Sequence, residues 1–118
     1  MKYERKIPLD LECGVTVYDL MAGGKWKPYL VNCMARGVTR PSEFQRIIPG
    51  ASKRVLQHQL NEMERMGLVT KDVFAEIPLR VEYHLTERGK SLLPVIRQMD
   101  EWGLAHAHLF DRMGNLRE

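Results

Sequence analysis

The sequence predicts an α+β fold, mainly helical, and three observations predict it. A polar-faced amphipathic stretch begins at Ser52 and stops at Gly67. Two alternating runs rich in Val, Tyr and Phe follow it, joined by a short turn at Ile77-Pro78. A further helical stretch precedes it across a three-residue break that contains Pro49-Gly50. Helix, tight turn, helix and hairpin in that order define a winged helix-turn-helix. The expected wing has two to three strands, and extra helices stand at both ends of the chain.

A chain of 118 residues suits one domain, residues 1–118, with a core of useful size. Hydrophobic residues at 44% and charged residues at 28% are ordinary for a soluble protein. No apolar run approaches a membrane span, and MKYERKIPLDLE lacks the apolar stretch of a secretory signal, so a cytoplasmic protein without a membrane partner is expected. Cys13 and Cys33 are too few for a disulfide scaffold and are expected as thiols. The net charge of +3 is unevenly placed: residues 22–71 hold nine Lys/Arg against three Asp/Glu. That excess coincides with the helix-turn-helix, as in proteins that neutralise phosphates.

A first helix is expected over residues 10–21, with Leu11, Val15, Val17, Tyr18 and Met21 available for burial, and Gly23-Gly24 ends it. The second, KWKPYLVNCMARG, spaces Trp26, Leu30, Cys33 and Met34 as one apolar face, with Pro28 tolerable in its first turn. Ser42 and Gln45 match a capping box opening the third helix, with Phe44, Ile47 and Ile48 inward. Ser52 caps the fourth, which runs to about residue 66. Strands are expected over residues 68–76 and 79–85. Thr86 caps a last helix with Leu92, Val95, Ile96, Met99, Trp102 and His106 along one stripe, and Pro94 inside it should kink or split its early turns.

At about 100° per residue the fourth helix separates into two faces. Leu56, Leu60 and Met63 define the core side, and Arg54, Gln57, His58, Asn61 and Arg65 lie opposite. Arg suits the guanine edge and Asn or Gln the adenine edge in the major groove of double-stranded DNA. Ser52 and Lys53 stand at the helix N-terminus, where N–H groups and a cation can meet phosphate. Any amphipathic surface helix has a polar back, but the outward face of this one carries no carboxylate until Glu62 and Glu64 near its end. Arg80, beside the hairpin tip, is the expected wing contact with a phosphate or the minor groove. Lys25 and Lys27, opening the second helix, fit either phosphate contacts or plain solvation.

These residues resemble the HxlR-type winged helix-turn-helix transcription regulators. The matching marks are Cys13, Gly23-Gly24-Lys25-Trp26, Arg40, Ser42-Glu43-Phe44, Ile48-Pro49-Gly50-Ala51-Ser52, Leu56, Leu60, Glu64 and Gly67-Leu68-Val69. They continue through Pro78, Arg80-Val81-Glu82-Tyr83, Leu85-Thr86, Gly89, Leu92 and Trp102-Gly103, covering about residues 11–103. The resemblance implies a homodimer on paired operator half-sites, with the fourth helix in the major groove and the hairpin as the wing. It also implies a dimer interface built by the first and last helices, here through Leu92, Val95, Ile96, Met99 and Trp102. Some members sense electrophiles or oxidants through a cysteine near the N-terminus, so an oxidant or small-molecule effector acting at Cys13 is one implication. Gly14 follows Cys13 where the family often has Pro, and Leu79 replaces the second Pro of the wing turn.

Two readings of Cys13 stand side by side: a sensing thiol favoured by the helix dipole, opposed by Asp10 and Glu12, and a small buried residue at the interface. Cys33 falls on an apolar face and reads as core. His106-x-His108 points its rings to different faces, so no metal site is expected, nor any cofactor. The motifs of metalloproteases, serine hydrolases and phosphate-cradling loops are all missing, which speaks against an enzyme. The competing non-enzymatic reading is a winged helix used for protein–protein contact.

Overall fold

A computed structural model of the chain describes residues 7–118. Six α-helices, a two-stranded sheet and a closing 3₁₀ turn follow one another in these residues: α1 (Gly14–Ala22), α2 (Lys27–Ala35), α3 (Pro41–Ile47), α4 (Lys53–Arg65), β1 (Val69–Phe74), β2 (Arg80–Leu85), α5 (Glu87–Lys90), α6 (Leu93–Ala105) and the 3₁₀ turn Ala107–Leu109. The strands are antiparallel in a register running from Val69↔Leu85 to Phe74↔Arg80. This is the winged helix-turn-helix expected, with two strands in its wing.

The core forms where α2, α3, α4 and the sheet meet. Leu30, Val31, Phe44, Leu60, Met63, Leu68 and Tyr83 are all shut off from solvent there. Each such side chain contributes about 1.5–3 kcal/mol of apolar burial. Helix α4 is well delimited at both ends. The Ser52 hydroxyl accepts the Val55 N–H at 3.1 Å. Gly67, at φ +74°, lets the Leu68 N–H return to the Met63 carbonyl at 2.9 Å and its own N–H to Glu64 at 3.0 Å. That Schellman closure needs the left-handed conformation that glycine tolerates.

Several boundaries differ from expectation for local reasons. α1 begins at Gly14, with Cys13 as its N-cap, and Ala22 is its only buried residue; Leu11 and Val15 stay exposed. α3 opens at Pro41 rather than after Ser42, because the Glu43 carboxylate accepts the Arg40 N–H at 3.3 Å. Ile47 lies on the exposed side of that short helix, while Phe44 and Ile48 turn inward. Among the described residues no third strand joins the sheet, but the Tyr83 N–H donates to the Thr39 carbonyl at 2.8 Å and ties the α2–α3 connection to β2. Pro94 splits the last helix: Thr86 caps α5, accepting the Gly89 N–H at 3.1 Å, and Pro94 stands in the first turn of α6, where its missing N–H leaves no bond unmade.

The junction between α4 and α5 is tight. The Thr86 hydroxyl donates to the Gly67 carbonyl, the Thr86 N–H to the Leu68 carbonyl, and the Arg88 guanidinium to the Met66 carbonyl. A Cβ on Gly89 would collide with the Leu68 carbonyl oxygen and crowd Leu85. Gly89→Ala is therefore expected to destabilise the fold by about 1–3 kcal/mol through overpacking. A lowered urea midpoint with unchanged slope would register it.

Candidate nucleic-acid interface

One face of α4 is anchored and the other is presented. Leu56, Leu60 and Met63 are buried, whereas Ser52, Lys53, Arg54, His58, Asn61 and Arg65 are exposed and Gln57 is half-buried. Lys53, Arg54, Gln57, His58 and Asn61 form one continuous surface. No acidic residue stands in the first turn of α4, so the positive end of its dipole remains uncompensated there.

The polar side chains of this face are not all free. The Gln57 amide donates to Asn61 Oδ1 at 3.0 Å and to the Tyr83 hydroxyl at 2.9 Å. His58 lies 3.7 Å from the Glu62 carboxylate, and the same carboxylate oxygen holds the Lys27 ammonium at 3.1 Å. Lys27 is 6% exposed. It therefore departs from the expectation of a phosphate contact. Its place in the first turn of α2 carries the side chain inward against α4, where Glu62 neutralises it. Lys25 is exposed, with its ammonium 4.9 Å from the centre of the Trp26 ring.

Arg80 is also placed differently from a free wing cation. Its guanidinium bonds Glu82 at 2.7 Å and Glu76 at 3.0 Å and lies 3.8 Å from the centre of the Phe74 ring. Glu82 in turn meets His84 at 3.1 Å, so the wing base is a charge network. At the tip, Ile77 and Leu79 are exposed. Between wing and helices lies an open cleft of about 500 Å³, lined by Arg40, Lys53, Gln57, Pro78 and Arg80 among others.

Sequence reasoning missed three members of this region: Arg40, which faces the cleft, the Glu62 partner of Lys27, and the Tyr83 hydroxyl. Tyr83 alternates along β2 with Val81 and Leu85, which pack against the core beside it. A buried tyrosine needs a partner for its hydroxyl, which was the available clue.

The terminal helices carry part of the exposed apolar surface. On α6, Val95, Met99 and Trp102 are exposed, the last at 70%. Leu92 is half-buried against the core. Ile96 is 4% exposed and packs within the protomer, so it departs from the interface set expected of it, because α6 turns that side onto α2. The Tyr18 hydroxyl reaches Met99 Sδ at 3.7 Å and links α1 to α6. His106 stacks on Trp102 with centroids 4.2 Å apart, and its Nδ1 lies 2.7 Å from the Trp102 carbonyl. Among the described residues no three His, Cys, Asp or Glu side chains gather as metal ligands, and no helix is long and apolar enough to cross a membrane.

The two thiols differ. Cys13 is exposed at the N-cap of α1; the Thr16 N–H, then its hydroxyl, then the Val15 N–H hold it below the ordinary thiol range, although no cap hydrogen bond is closed. Cys33 is buried, and burial pushes its thiol up against the opposing influence of Arg36.

A helix-turn-helix with a wing and a carboxylate-poor face on its second helix defines a DNA-binding regulator by class. Residues 21–110 match the HxlR-like helix-turn-helix family, and the chain belongs to it. An uncharacterized HTH-type transcriptional regulator of Methanothermobacter thermautotrophicus is 43% identical over 91 residues, which span 77% of this chain and 70% of that relative. The redox regulator HypR in its oxidised form superposes with a TM-score of 0.73 at 41% identity, covering 79% of this chain and 96% of that one. Its reduced form gives 0.75 at 40% identity, covering 80% and 94%. The family and these relatives are transcriptional regulators, not enzymes.

Two outcomes follow from the charges and thiols. Glu62→Gln leaves the Lys27 ammonium buried without a counter-charge and is expected to cost about 1–3 kcal/mol, less than for a fully buried pair because Glu62 is partly solvated. Lys27→Met removes the buried charge itself and is expected to stay within about 1 kcal/mol of the parent; chemical denaturation of the two variants side by side checks the order. Iodoacetamide is expected to label Cys13 well before Cys33 in the folded protein. The selectivity is greatest below both pKa values and shrinks as pH rises through that of Cys13, because the lowered thiol holds the larger thiolate fraction. Peptide mass mapping over a time course measures it.

Proposed function

We propose that this chain is a sequence-specific, double-stranded DNA-binding transcriptional regulator acting in the cytoplasm as a homodimer on paired operator half-sites. The whole chain serves as one DNA-binding domain. The observation that carries the reading is the division of α4 into a buried apolar side and an exposed side bearing Arg54, Gln57, His58, Asn61 and Arg65. That side enters the major groove, while Ser52, Lys53 and Lys25 meet phosphate. Arg80 serves the wing chiefly by bracing it through Glu76 and Glu82, reaching DNA only if those pairs open.

Dimerisation draws on apolar surface that the protomer leaves uncovered: Leu11, Val15 and Leu20 toward the N-terminus, and Val95, Met99 and Trp102 on α6. Leu92, half-buried on the protomer's own core, adds only its remaining exposed part. Burying such side chains between two copies contributes about 25 cal/mol per Å². Cys13 stands beside that surface with an exposed thiol of lowered pKa, so a peroxide can oxidise it to the sulfenic acid and alter the spacing of the two α4 helices. Similarity to a redox regulator supports that part of the reading.

Fluorescence anisotropy on duplexes enriched by the protein tests the DNA role. Affinity is expected to fall steeply with salt, and Arg54→Glu to weaken binding by about tenfold or more. Salt-insensitive behaviour, or an Arg54→Glu variant that binds as the parent does, would favour a protein-interaction module instead. For the interface, Trp102→Asp is expected to convert dimer to monomer in sedimentation velocity. The thiol switch is lost if Cys13→Ser still releases DNA on peroxide treatment.

A further inference from the structure

We infer, resting on the proposed placement of α4 in the major groove, that Gln57 and Asn61 act as one coupled amide pair that reads an adenine in each half-site, and that Tyr83 is the positioning residue that sets it. A glutamine amide has two N–H donors. Here both are engaged within the protein, one by Asn61 Oδ1 at 3.0 Å and one by the Tyr83 hydroxyl at 2.9 Å. The atoms of the pair left wholly unengaged are an acceptor, Gln57 Oε1, and the donor group Asn61 Nδ2. The two residues are one turn apart on the presented face, so the acceptor and donor are neighbours.

That pattern selects among bases. In the major groove adenine alone offers a donor, N6–H, beside an acceptor, N7, on one base. Guanine offers two acceptors, cytosine a donor, thymine an acceptor and a methyl group. Turning both amides over, with the Tyr83 hydroxyl then donating, exchanges their roles but again leaves one donor and one acceptor outward. The complement therefore follows from the pairing itself.

The anchor is rigid enough for this task. Tyr83 is 0% exposed and packs in the core, its N–H is held by the Thr39 carbonyl at 2.8 Å, and it pairs across the sheet with Lys71. Gln57 thus meets DNA with much of its rotamer freedom already removed, which lowers the ordering cost of reading. A free glutamine on the same face would present either end of its amide and discriminate less.

The test uses the full chain and a duplex enriched by it from a randomised pool. Anisotropy compares that duplex with copies in which one adenine at a time becomes 7-deaza-adenine, lacking N7, or purine, lacking the N6 amino group. One adenine per half-site is expected at which both replacements weaken binding by about tenfold or more, and at which Gln57→Leu binds original and replaced duplexes alike. Tyr83→Phe is expected to keep the parent's salt dependence and narrow the discrimination at that adenine several-fold. Sensitivity to 7-deazaguanine in place of 7-deaza-adenine would overturn the assignment in favour of a G·C pair straddled by the two amides. Unchanged discrimination in a folded Tyr83→Phe would overturn the positioning role. If that variant melts early, Asn61→Ala, which keeps the Gln57–Tyr83 bond, decides the base assignment, with Gln57→Leu compared at a temperature where it is folded because it strips the buried Tyr83 hydroxyl of its partner. A pool from which no duplex is enriched would overturn the DNA-reading role of α4 and this pairing with it.

Discussion

The burial of Tyr83 is the constraint on which the geometry of the candidate interface depends. Its ring lies in the core that the sheet shares with α2 and α3, its backbone N–H is held by Thr39, and its hydroxyl reaches Gln57 on α4. Wing, α2–α3 connection and α4 are thereby referred to one residue. A two-stranded ribbon alone is marginal in water, and this one is stable because one of its faces is committed to that core. The Thr86 and Arg88 bonds to the end of α4 fix the other end of the same ribbon. The wing therefore cannot pivot without disturbing α4.

Electrostatics then sorts charges that the sequence counts equally. Residues 22–71 carry a clear excess of Lys and Arg, but Lys27 is neutralised by Glu62 inside the protein. Arg80 is held between Glu76 and Glu82 and stacked on Phe74. Such pairs add little to the field outside, since a charge and its counter-charge a few ångströms apart look neutral beyond the Debye length. Lys53 and Arg54, exposed at the N-terminus of α4 with no acidic residue in its first turn, act outward. There they add to the helix dipole. The attraction for an anionic partner is thus steeper at one end of α4 than the net charge of +3 implies.

The legible parts of the fold were those decided within one element. Ser52 as cap, Gly67 as stop and the Leu56/Leu60/Met63 side of α4 follow from short-range geometry, and each is where periodicity placed it. The hairpin followed equally from its alternation. What escaped was decided between elements. Lys27 reads as a surface cation until α4 supplies Glu62 thirty-five residues later. Arg80 reads as a free wing cation until the strands bring Glu82 and Phe74 to it. Ile96 belongs to one apolar stripe with Met99 and Trp102, and only the packing of α6 on α2 divides that stripe into a core side and an exposed side. Pro94 announced an interruption, but whether it bends one helix or opens another depends on Thr86 capping a separate short helix first.

The position of Cys13 gains its meaning from how little α1 does for the protomer. Only Ala22 of that helix is buried, Val17, Tyr18 and Met21 are half-buried, and Val15 and Leu20 look outward. A modification at the N-cap thus has almost no core to disrupt, and the local stability of α4 and the wing should hardly register it. In the proposed dimer the same helix contributes to the surface between copies, so its displacement changes the relation of one protomer to the other. The half-sites of a two-fold operator demand a fixed distance between the two reading helices, about one helical turn of DNA. A thiol on the least anchored helix is consequently well placed to alter that distance while each reading surface stays folded. The sign of any response to oxidation is then set by interface geometry, not by loss of structure.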